Sequence, residues 1–474
     1  MNKILKVLII FYRKIIPVFV RQLMLNLELK ITRWYNPLLK NGVIRSAIDE
    51  CYEACKNELE KKNDSSRTNY HLHKAFNKHL VRSNLIDVQW WSDFILLISL
   101  SNGSKFEKIN KSLINRIEYS NFNSLDHFEI LHIYSLSIRF GLFELGYHIR
   151  EKSLKIALAY STFINKSDIW KLKAKLSALL ETGNFSEFDQ LFPLFKNQRK
   201  QEKYLLSNLR GVLGGIKNLS DRNLTSDLNS KKDQSFYKFI ENKKLVIVSP
   251  SPEDKKDGVE IDSADIVIRT RYSAKYSVDD LVIKGSRCDI TYIFSDSKYI
   301  AENEYLQWPL DISWIVGKVL SQAEVILKKL SANGINTKHL NGRSLERIDK
   351  ALFNGSLHGL PNIIIDVLRF NPKKIFLYHF DMMLTKERVA GYFTPDSEEE
   401  NKNIKHLTNK RLTGLAGHDP VTQFVILKSF WKRGIIEGDF RFEEVIKMEI
   451  KDYMKNLQKN YRGLNDVKID SNLT

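Results

Sequence analysis

A histidine, an aspartate and a proline stand together where a helix is predicted to begin. They are His418, Asp419 and Pro420, which continue towards Gln423. Asp419 can cap the helix, and Pro420 suits its first position because proline lacks the N–H that this position leaves unpaired. The helix dipole would disfavour protonation of His418. The pattern predicts a neutral imidazole that can act as a general base, and a plain capping or surface histidine is the alternative.

A second segment could bind an anion at a helix start. Ser356, His358 and Gly359 precede a predicted helix that contains Pro361 and ends near Phe370. A loop that opens a helix offers free backbone N–H groups and the positive end of the helix dipole, which suit a phosphate or a carboxylate. An ordinary connecting helix without a ligand is the alternative.

A third segment has the pattern of a strand, a polar loop, a turn and another strand. Lys244–Ser251 end in the hydroxyl side chains of Ser249 and Ser251, and Glu260–Arg269 run on to Arg271. Arginine there could form charge-assisted hydrogen bonds with a phosphate. The alternative is a purely structural first strand of a doubly wound domain.

Taken in chain order, from Lys244–Arg271 through Ser356–Gly359 to His418, the three segments resemble the motifs of the sialyltransferase family. Glu260–Arg269 are similar to the second half of the family's long motif. In the first half, Ser249-Pro250-Ser251 replace a segment that contacts the CMP donor in the family, and at the end of the motif Arg271 replaces a second residue that does so. Gly359 keeps the glycine of the short motif, whereas His379 replaces the glycine that ends the next strand. The resemblance implies that His418 is the catalytic base, although Gln423 replaces the motif's glutamate. It also implies donor contacts by Ser249, Ser251, Arg269, Arg271, Ser356, His358, Gly359, His379 and Tyr392.

The resemblance implies a glycosyltransferase that moves sialic acid from a CMP-sugar to a glycan or glycolipid acceptor, such as lipopolysaccharide or capsule. A transferase for CMP-3-deoxy-manno-octulosonate and a non-catalytic scaffold with a degenerate transferase domain are the alternatives. The chain contains no Asp-x-Asp triplet, the metal-binding motif of many nucleotide-sugar transferases. We therefore expect a metal-independent mechanism without a cofactor.

Hydrophobic patterning predicts an α/β domain over residues 241–440, with a mostly parallel sheet. The resemblance implies that this domain is a Rossmann-like transferase domain. The domain follows an all-α domain over residues 45–215, for which a repeat-like organisation is also expected, and a polar linker over 216–240. It precedes a basic helical tail over 441–474. The predicted strands are Leu245–Val248, Ile266–Ile268, Ile290–Phe294, Ile312–Val316 and Ile375–Tyr378. Ligands of such sheets bind beyond the carboxyl ends of the strands, where the candidate motifs are expected.

Charge points to an anionic partner. The net charge is +18, and residues 1–40 hold eight basic side chains against one acidic side chain, Glu28. Apolar runs interrupted by Lys and Arg are too short to span a bilayer and favour an amphipathic helix on an anionic membrane, or one packed on the protein itself. No nucleic-acid-binding motif is present, and the three cysteines fit a reducing compartment. We therefore expect a cytoplasmic protein, peripheral on the inner face of the cytoplasmic membrane.

Overall fold

The computed structural model of the chain contains a group of helices followed by a parallel β-sheet with flanking helices. The residues described are 90, 93–94, 96–97, 100, 103–119, 126–161, 169–195, 200–214, 231–270, 278–293, 312–318, 331, 334–340, 352–354, 357, 359–385 and 419–462. Residues Ser92–Thr474 form one compact unit. The basic segment 1–40 lies outside the described residues, as do Arg271, Ser356, His358, Tyr392 and His418.

Helices precede the sheet in the chain. They are α1 (Ser104–Tyr119), α2 (His127–Arg139), α3 (Phe143–Leu158), α4 (Ile169–Glu181), α5 (Phe185–Leu191), followed by a short 3₁₀ turn (Phe192–Phe195), and α6 (Lys200–Gly214). The start of α2 shows why the chain becomes helical there. The Asp126 carboxylate accepts a hydrogen bond from the Glu129 amide, and the Glu129 carboxylate accepts one from the Asp126 amide. This reciprocal capping satisfies two N–H groups that a helix start leaves unpaired.

Two glycines end helices in the same way. Gly141 follows α2 with φ 70°, and Gly183 follows α4 with φ 74°. In both turns the glycine amide donates to the carbonyl three residues back, and the next amide donates to the carbonyl five residues back. Glycine adopts this left-handed conformation without the steric cost that other residues meet. The two turns therefore share one geometry, and a repeat-like organisation of the helical half stays a prediction.

The sheet has seven strands, all of which run parallel. They are β1 (Lys244–Val248), β2 (Ile266–Thr270), β3 (Ile290–Ile293), β4 (Trp314–Lys318), β5 (Asn336–Leu340), β6 (Lys374–Tyr378) and β7 (Ile436–Gly438). Their order across the sheet is β5-β4-β3-β2-β1-β6-β7. The side chains of β1, β2 and β3 are almost all buried, as expected for a parallel sheet covered by helices on both faces. The predicted α/β fold with a parallel sheet is confirmed.

Further helices connect and flank the strands. They are α7 (Lys231–Ile240), α8 (Gly258–Asp262), α9 (Val278–Lys284), α10 (Gly359–Leu368), α11 (Pro420–Lys432), α12 (Phe440–Lys447) and α13 (Ile450–Arg462). Helix α7 lies in the segment predicted as a linker, and Phe236 packs edge-to-face on Trp314 and Phe370. Helix α13, in the predicted tail, packs Tyr453 on Phe424. Of the helices described, none combines the length and the hydropathy that a membrane crossing requires.

Helix α10 is fastened to the sheet by buried charges. The carboxylate of Asp366 accepts hydrogen bonds from the Tyr292 hydroxyl (2.8 Å) and from the Lys338 ammonium group (3.0 Å). Both charged side chains are buried, Asp366 completely. A buried charge is tolerated when it is paired and hydrogen-bonded. The contact therefore fixes α10 against β3 and β5, and with it the direction of the helix start at Gly359.

A buried histidine in the helical layer gives a prediction about acid stability. Burial lowers the pKa of His127 to about 4, although the charge of Asp126 opposes the shift. Between about pH 6.5 and pH 4, the His127 imidazole is therefore protonated in the unfolded chain but neutral in the folded chain. The free energy of unfolding falls as the pH falls through this window. A shift of this size corresponds to about 3 kcal/mol of folding free energy.

The variant His127→Gln should flatten this decline in stability, measured by urea unfolding between about pH 7 and pH 4.5. Burial also lowers the pKa of the half-buried His148, so His148→Gln should flatten the decline too, but by less than His127→Gln does. An unchanged pH slope in His127→Gln would contradict the assignment.

Candidate functional site

The polar side chains that the structure brings together lie where the strand order reverses. In the sheet, β1 lies between β2, the next strand along the chain, and β6. The connections that follow β1 and β6 therefore leave in opposite directions, and a crevice remains between them at the carboxyl edge of the sheet. We call this the β1–β6 crevice. It contains Ser249, Ser251, Asp257, Lys284, His379, Asp381, Asp439 and Arg441.

Ser249 and Ser251, both predicted to contact a donor, follow β1 at this crevice. The Ser249 amide donates to the Tyr378 carbonyl, which continues the pairing of β1 with β6. The two hydroxyl oxygens are 3.0 Å apart, and the Ser251 amide donates to the Ser249 hydroxyl (3.1 Å). Both residues are buried. The loop therefore holds its two hydroxyls side by side at the switch point of the sheet, where ligands of such folds bind.

Lys284, the last residue of α9, holds this loop by hydrogen bonds to its backbone. Its ammonium nitrogen donates to the carbonyls of Ser249 (3.1 Å) and Ser251 (2.5 Å) and lies 3.4 Å from Nδ1 of His379. Burial, together with the charge of Arg269, lowers the pKa of Lys284 to about 7. Sequence reasoning missed this residue. The signal available was its place directly before the Gly285-Ser286-Arg287 turn.

Arg269, another predicted donor contact, binds the protein's own backbone. Its side chain is buried, and it donates to the carbonyls of Arg287 (2.7 Å), Lys284 (2.6 Å) and Gly285 (3.0 Å). The guanidinium thus satisfies three backbone carbonyls of the turn between α9 and β3 by hydrogen bonding. In the structure, this arginine positions Lys284 and holds the turn in shape.

The acidic residues of the same motif also have structural partners. The Asp262 carboxylate accepts hydrogen bonds from the amides of Ser286 (2.8 Å) and Arg287 (3.0 Å). Gly285 has φ 73°, and a Cβ there would collide with the Asp262 carboxylate. The Asp265 carboxylate accepts from the Lys244 amide (2.8 Å) at the start of β1. The Glu260–Arg269 segment and the Gly285-Ser286-Arg287 turn are therefore one structural unit that sets the spacing of the first strands.

His379 enters the crevice from the residue that follows β6. Its φ is 64°, a left-handed conformation that favours glycine, which is the residue type at this position of the sialyltransferase short motif. Its ring is fully buried, and its amide donates to the Asp439 carboxylate (2.5 Å). Burial, reinforced by the positive charge of Lys284, lowers the pKa of His379 to about 3. The imidazole is therefore neutral at physiological pH, with Nε2 3.4 Å from the Asp257 carboxylate.

Asp381 and Arg441 close the crevice on the side of α12. The Asp381 carboxylate accepts from the Thr385 amide (2.7 Å), and the Arg441 guanidinium donates to it at 2.9 Å. Arg441 also donates to the Pro252 carbonyl (2.5 Å) and to the Glu253 carboxylate (2.9 Å). This arginine therefore links the loop after β1 to the loop after β6. Sequence reasoning missed it because it lies on a helix of the predicted tail, far along the chain from both loops.

The backbone after β6 is unusual in the same region. Besides His379, Met382 (φ 52°) and Met383 (φ 74°) adopt left-handed conformations. Helix α13 holds this turn, because the Tyr453 hydroxyl donates to the Met382 carbonyl (2.7 Å) and the Tyr461 hydroxyl donates to the Met383 carbonyl (3.1 Å). Such conformations cost about 1–3 kcal/mol each and concentrate at functional sites. They support the assignment of this edge of the sheet as the candidate site.

The other two candidate segments begin helices at the same edge. Helices α10 and α11 each end a few residues before the start of a parallel strand, β6 and β7 respectively, so both helices begin towards the carboxyl edge. Gly359 opens α10, and the Asn362 side chain donates to the Leu357 carbonyl (2.9 Å) just before it. Ser356 and His358 precede this start, outside the described residues. The predictions for them stay predictions.

The predicted cap of α11 is confirmed. The Asp419 carboxylate accepts from the Val421 amide (3.1 Å), and Pro420 occupies the first turn. Asp419 is also completely buried, and it accepts hydrogen bonds from the Tyr134 hydroxyl (2.7 Å) and the Arg150 guanidinium (2.8 and 2.9 Å). The helical half of the chain therefore holds the start of α11. His418, the residue before this cap, lies outside the described residues.

These elements define a class of protein, an α/β protein with a parallel sheet and a polar crevice at its switch point. In comparisons with known proteins, no family model matches the chain, and no curated protein or solved structure matches it either.

Proposed function

We propose that this protein is a glycosyltransferase that uses a CMP-activated acidic sugar, sialic acid or a related 2-keto sugar such as 3-deoxy-manno-octulosonate. The observation that carries the proposal is the position of the Ser249–Ser251 loop at the switch point of a parallel sheet. That loop corresponds to the donor loop of the motif that the chain resembles. The starts of α10 and α11, which correspond to the other two motifs, lie at the same edge of the sheet.

The proposed roles follow from the chemistry of each group. The donor phosphate would accept hydrogen bonds from Ser249 and Ser251 and from backbone N–H groups at the start of α10. His418 would remove the proton of the acceptor hydroxyl as the bond to CMP breaks. Because CMP is a good leaving group, the protein mainly positions the reactants and stabilises phosphate charge, and the proposed mechanism needs no metal ion. A surface glycan or glycolipid is the proposed acceptor, with the basic segment 1–40 at an anionic membrane.

The proposal is tested by measuring CMP release from CMP-sialic acid and from CMP-3-deoxy-manno-octulosonate, with and without a glycan acceptor. Ser249→Ala with Ser251→Ala should weaken CMP binding by about 10-fold, since each lost hydrogen bond contributes about 0.5–1.5 kcal/mol. Ser263→Ala is the matched control, because that exposed hydroxyl donates to the Glu260 carbonyl away from the crevice. Calorimetric titration with CMP measures both. CMP binding that is identical in wild type and the double variant would remove the donor from this loop.

A specific observation favours a second candidate, a non-catalytic scaffold. The polar groups of the crevice largely satisfy one another, as Lys284 does with two carbonyls and Arg441 does with Glu253 and Asp381. A degenerate site would keep such internal contacts after losing its ligand. A scaffold predicts no specific heat on titration with CMP, whereas a transferase predicts saturable binding.

A further inference from the structure

Three metal-ligating side chains converge beside the Ser249–Ser251 loop. Asp257 precedes α8, His379 follows β6 and Asp439 follows β7. One ligand atom of each lies within 4.8 Å of the others, and all three residues are buried. The three residues lie in separate loops that are far apart in the chain, so no local sequence motif predicts the cluster.

Two atoms of the cluster are buried without a hydrogen-bond partner. They are Nε2 of His379 and Oδ2 of Asp257, whose residues are 0% and 5% exposed. A buried polar atom that lacks a partner is destabilising, so each such atom calls for an explanation. The two atoms face each other at 3.4 Å. That separation exceeds the 2.7–3.2 Å typical of an N–H···O hydrogen bond.

The same separation fits two ligands of one metal ion. Nitrogen and oxygen ligands lie about 2.0–2.1 Å from a tetrahedral zinc ion, which places two of them about 3.4 Å apart. The ion's charge would also balance the two carboxylates, which converge on a neutral imidazole. One imidazole with two carboxylates suits zinc or another divalent transition metal better than magnesium or calcium, which take oxygen ligands.

The groups around the cluster orient its ligands. Nδ1 of His379 lies 3.4 Å from the Lys284 ammonium nitrogen, so Nε2 is the nitrogen that faces the carboxylates. The Asp439 carboxylate accepts hydrogen bonds from the amides of Phe442 (3.0 Å) and His379 (2.5 Å). Oδ1 of Asp257 pairs with Lys255 at 2.9 Å. Metal ligands in proteins are commonly held by such outer partners.

We propose that Asp257, His379 and Asp439 bind one divalent transition-metal ion of the zinc type, which ties the loops after β6 and β7 to the start of α8. The three side chains leave one position of a tetrahedral ion for a water molecule, and the ion would stabilise the floor of the crevice. The donor phosphate does not need to reach it, so the proposal is compatible with metal-independent transfer. It also holds if the protein is a scaffold, because its tests do not measure transfer.

The test is metal binding by the full-length chain. After reconstitution, the wild-type protein should hold one equivalent of Zn²⁺ by elemental analysis, and Co²⁺ in its place should give visible d–d absorption bands. His379→Gly should weaken Zn²⁺ binding by more than about 100-fold, because even outer partners of metal ligands contribute about 10- to 100-fold. Glycine suits the left-handed backbone at this position, so the variant removes the ligand without adding backbone strain.

A second variant and a control separate ligation from folding. Asp257→Asn should also lose the ion, and since Asp257 makes no side-chain cap bond to α8, no helix cap is lost with it. His148→Asn, which removes a half-buried histidine outside the cluster, should bind Zn²⁺ like the wild type. A chelator should lower the melting temperature of the wild type and of His148→Asn and leave that of His379→Gly unchanged. A wild-type chain without a stoichiometric ion, or equal Zn²⁺ binding by His379→Gly, would overturn the proposal.

Discussion

Arg150→Met is expected to lower the free energy of unfolding by about 3–5 kcal/mol. Arg150 is completely buried in α3 and donates to the Asp419 carboxylate, to the Glu181 carboxylate (2.7 Å) and to the Thr422 hydroxyl (2.8 Å). Methionine fills a similar volume but leaves two buried carboxylates without their cation. An uncompensated buried charge is destabilising by far more than the net gain from a surface ion pair.

Arg210→Met is the matched control for this experiment. Arg210 pairs with Asp189 on the surface, where the carboxylate is 55% exposed, so its loss should change the free energy of unfolding by less than about 1 kcal/mol. Urea unfolding measures both variants. Adding Glu181→Gln to Arg150→Met should recover part of the loss, because one of the two stranded charges is removed. A loss in Arg150→Met no larger than that in Arg210→Met would show that the buried network contributes nothing to stability.

The strands of the centre of the sheet could be predicted, whereas two edge strands could not. The short β-branched runs around Val246, Val267 and Ile375 are buried on both faces, and this burial is what makes their composition recognisable. β5 reads Asn-Thr-Lys-His-Leu, a polar sequence for a strand. It pairs in parallel with β4, and its buried Lys338 is paired with Asp366 of α10, a partner 28 positions away that periodicity cannot reveal. β7 is only three residues long, too short to show a pattern.

The candidate site was predictable only where it depends on chain-local signals. Ser249 and Ser251 were found because they directly follow a strand, and Asp419 because capping is a local event. Lys284, Asp257 and Arg441 were missed because their roles depend on residues brought together by the sheet. Arg269 had the right charge for a donor contact, but its partners are backbone carbonyls of a turn that only the folded chain brings near.

His418→Ala is expected to lower kcat of the proposed transfer reaction by about 10²- to 10⁴-fold, the usual contribution of a general base. The donor groups at Ser249 and Ser251 are untouched, so KM for the CMP-sugar and the affinity for CMP should stay close to those of the wild type. Loss of the base should also remove the acid limb of the pH–rate profile, since that limb reports the protonation of the imidazole.

The structure explains why this variant should remain folded. Asp419 caps α11 and accepts the hydrogen bonds from Tyr134 and Arg150, and the variant leaves Asp419 in place. His406→Ala changes another histidine, which lies in the chain between Gly359 and His418; it is the matched control and should transfer sugar at the wild-type rate. Initial rates of CMP release from the better of the two CMP-sugars measure both variants. If His418→Ala transfers sugar as fast as the wild type while still binding CMP, the donor site stands, and the base must be sought among the side chains of the β1–β6 crevice.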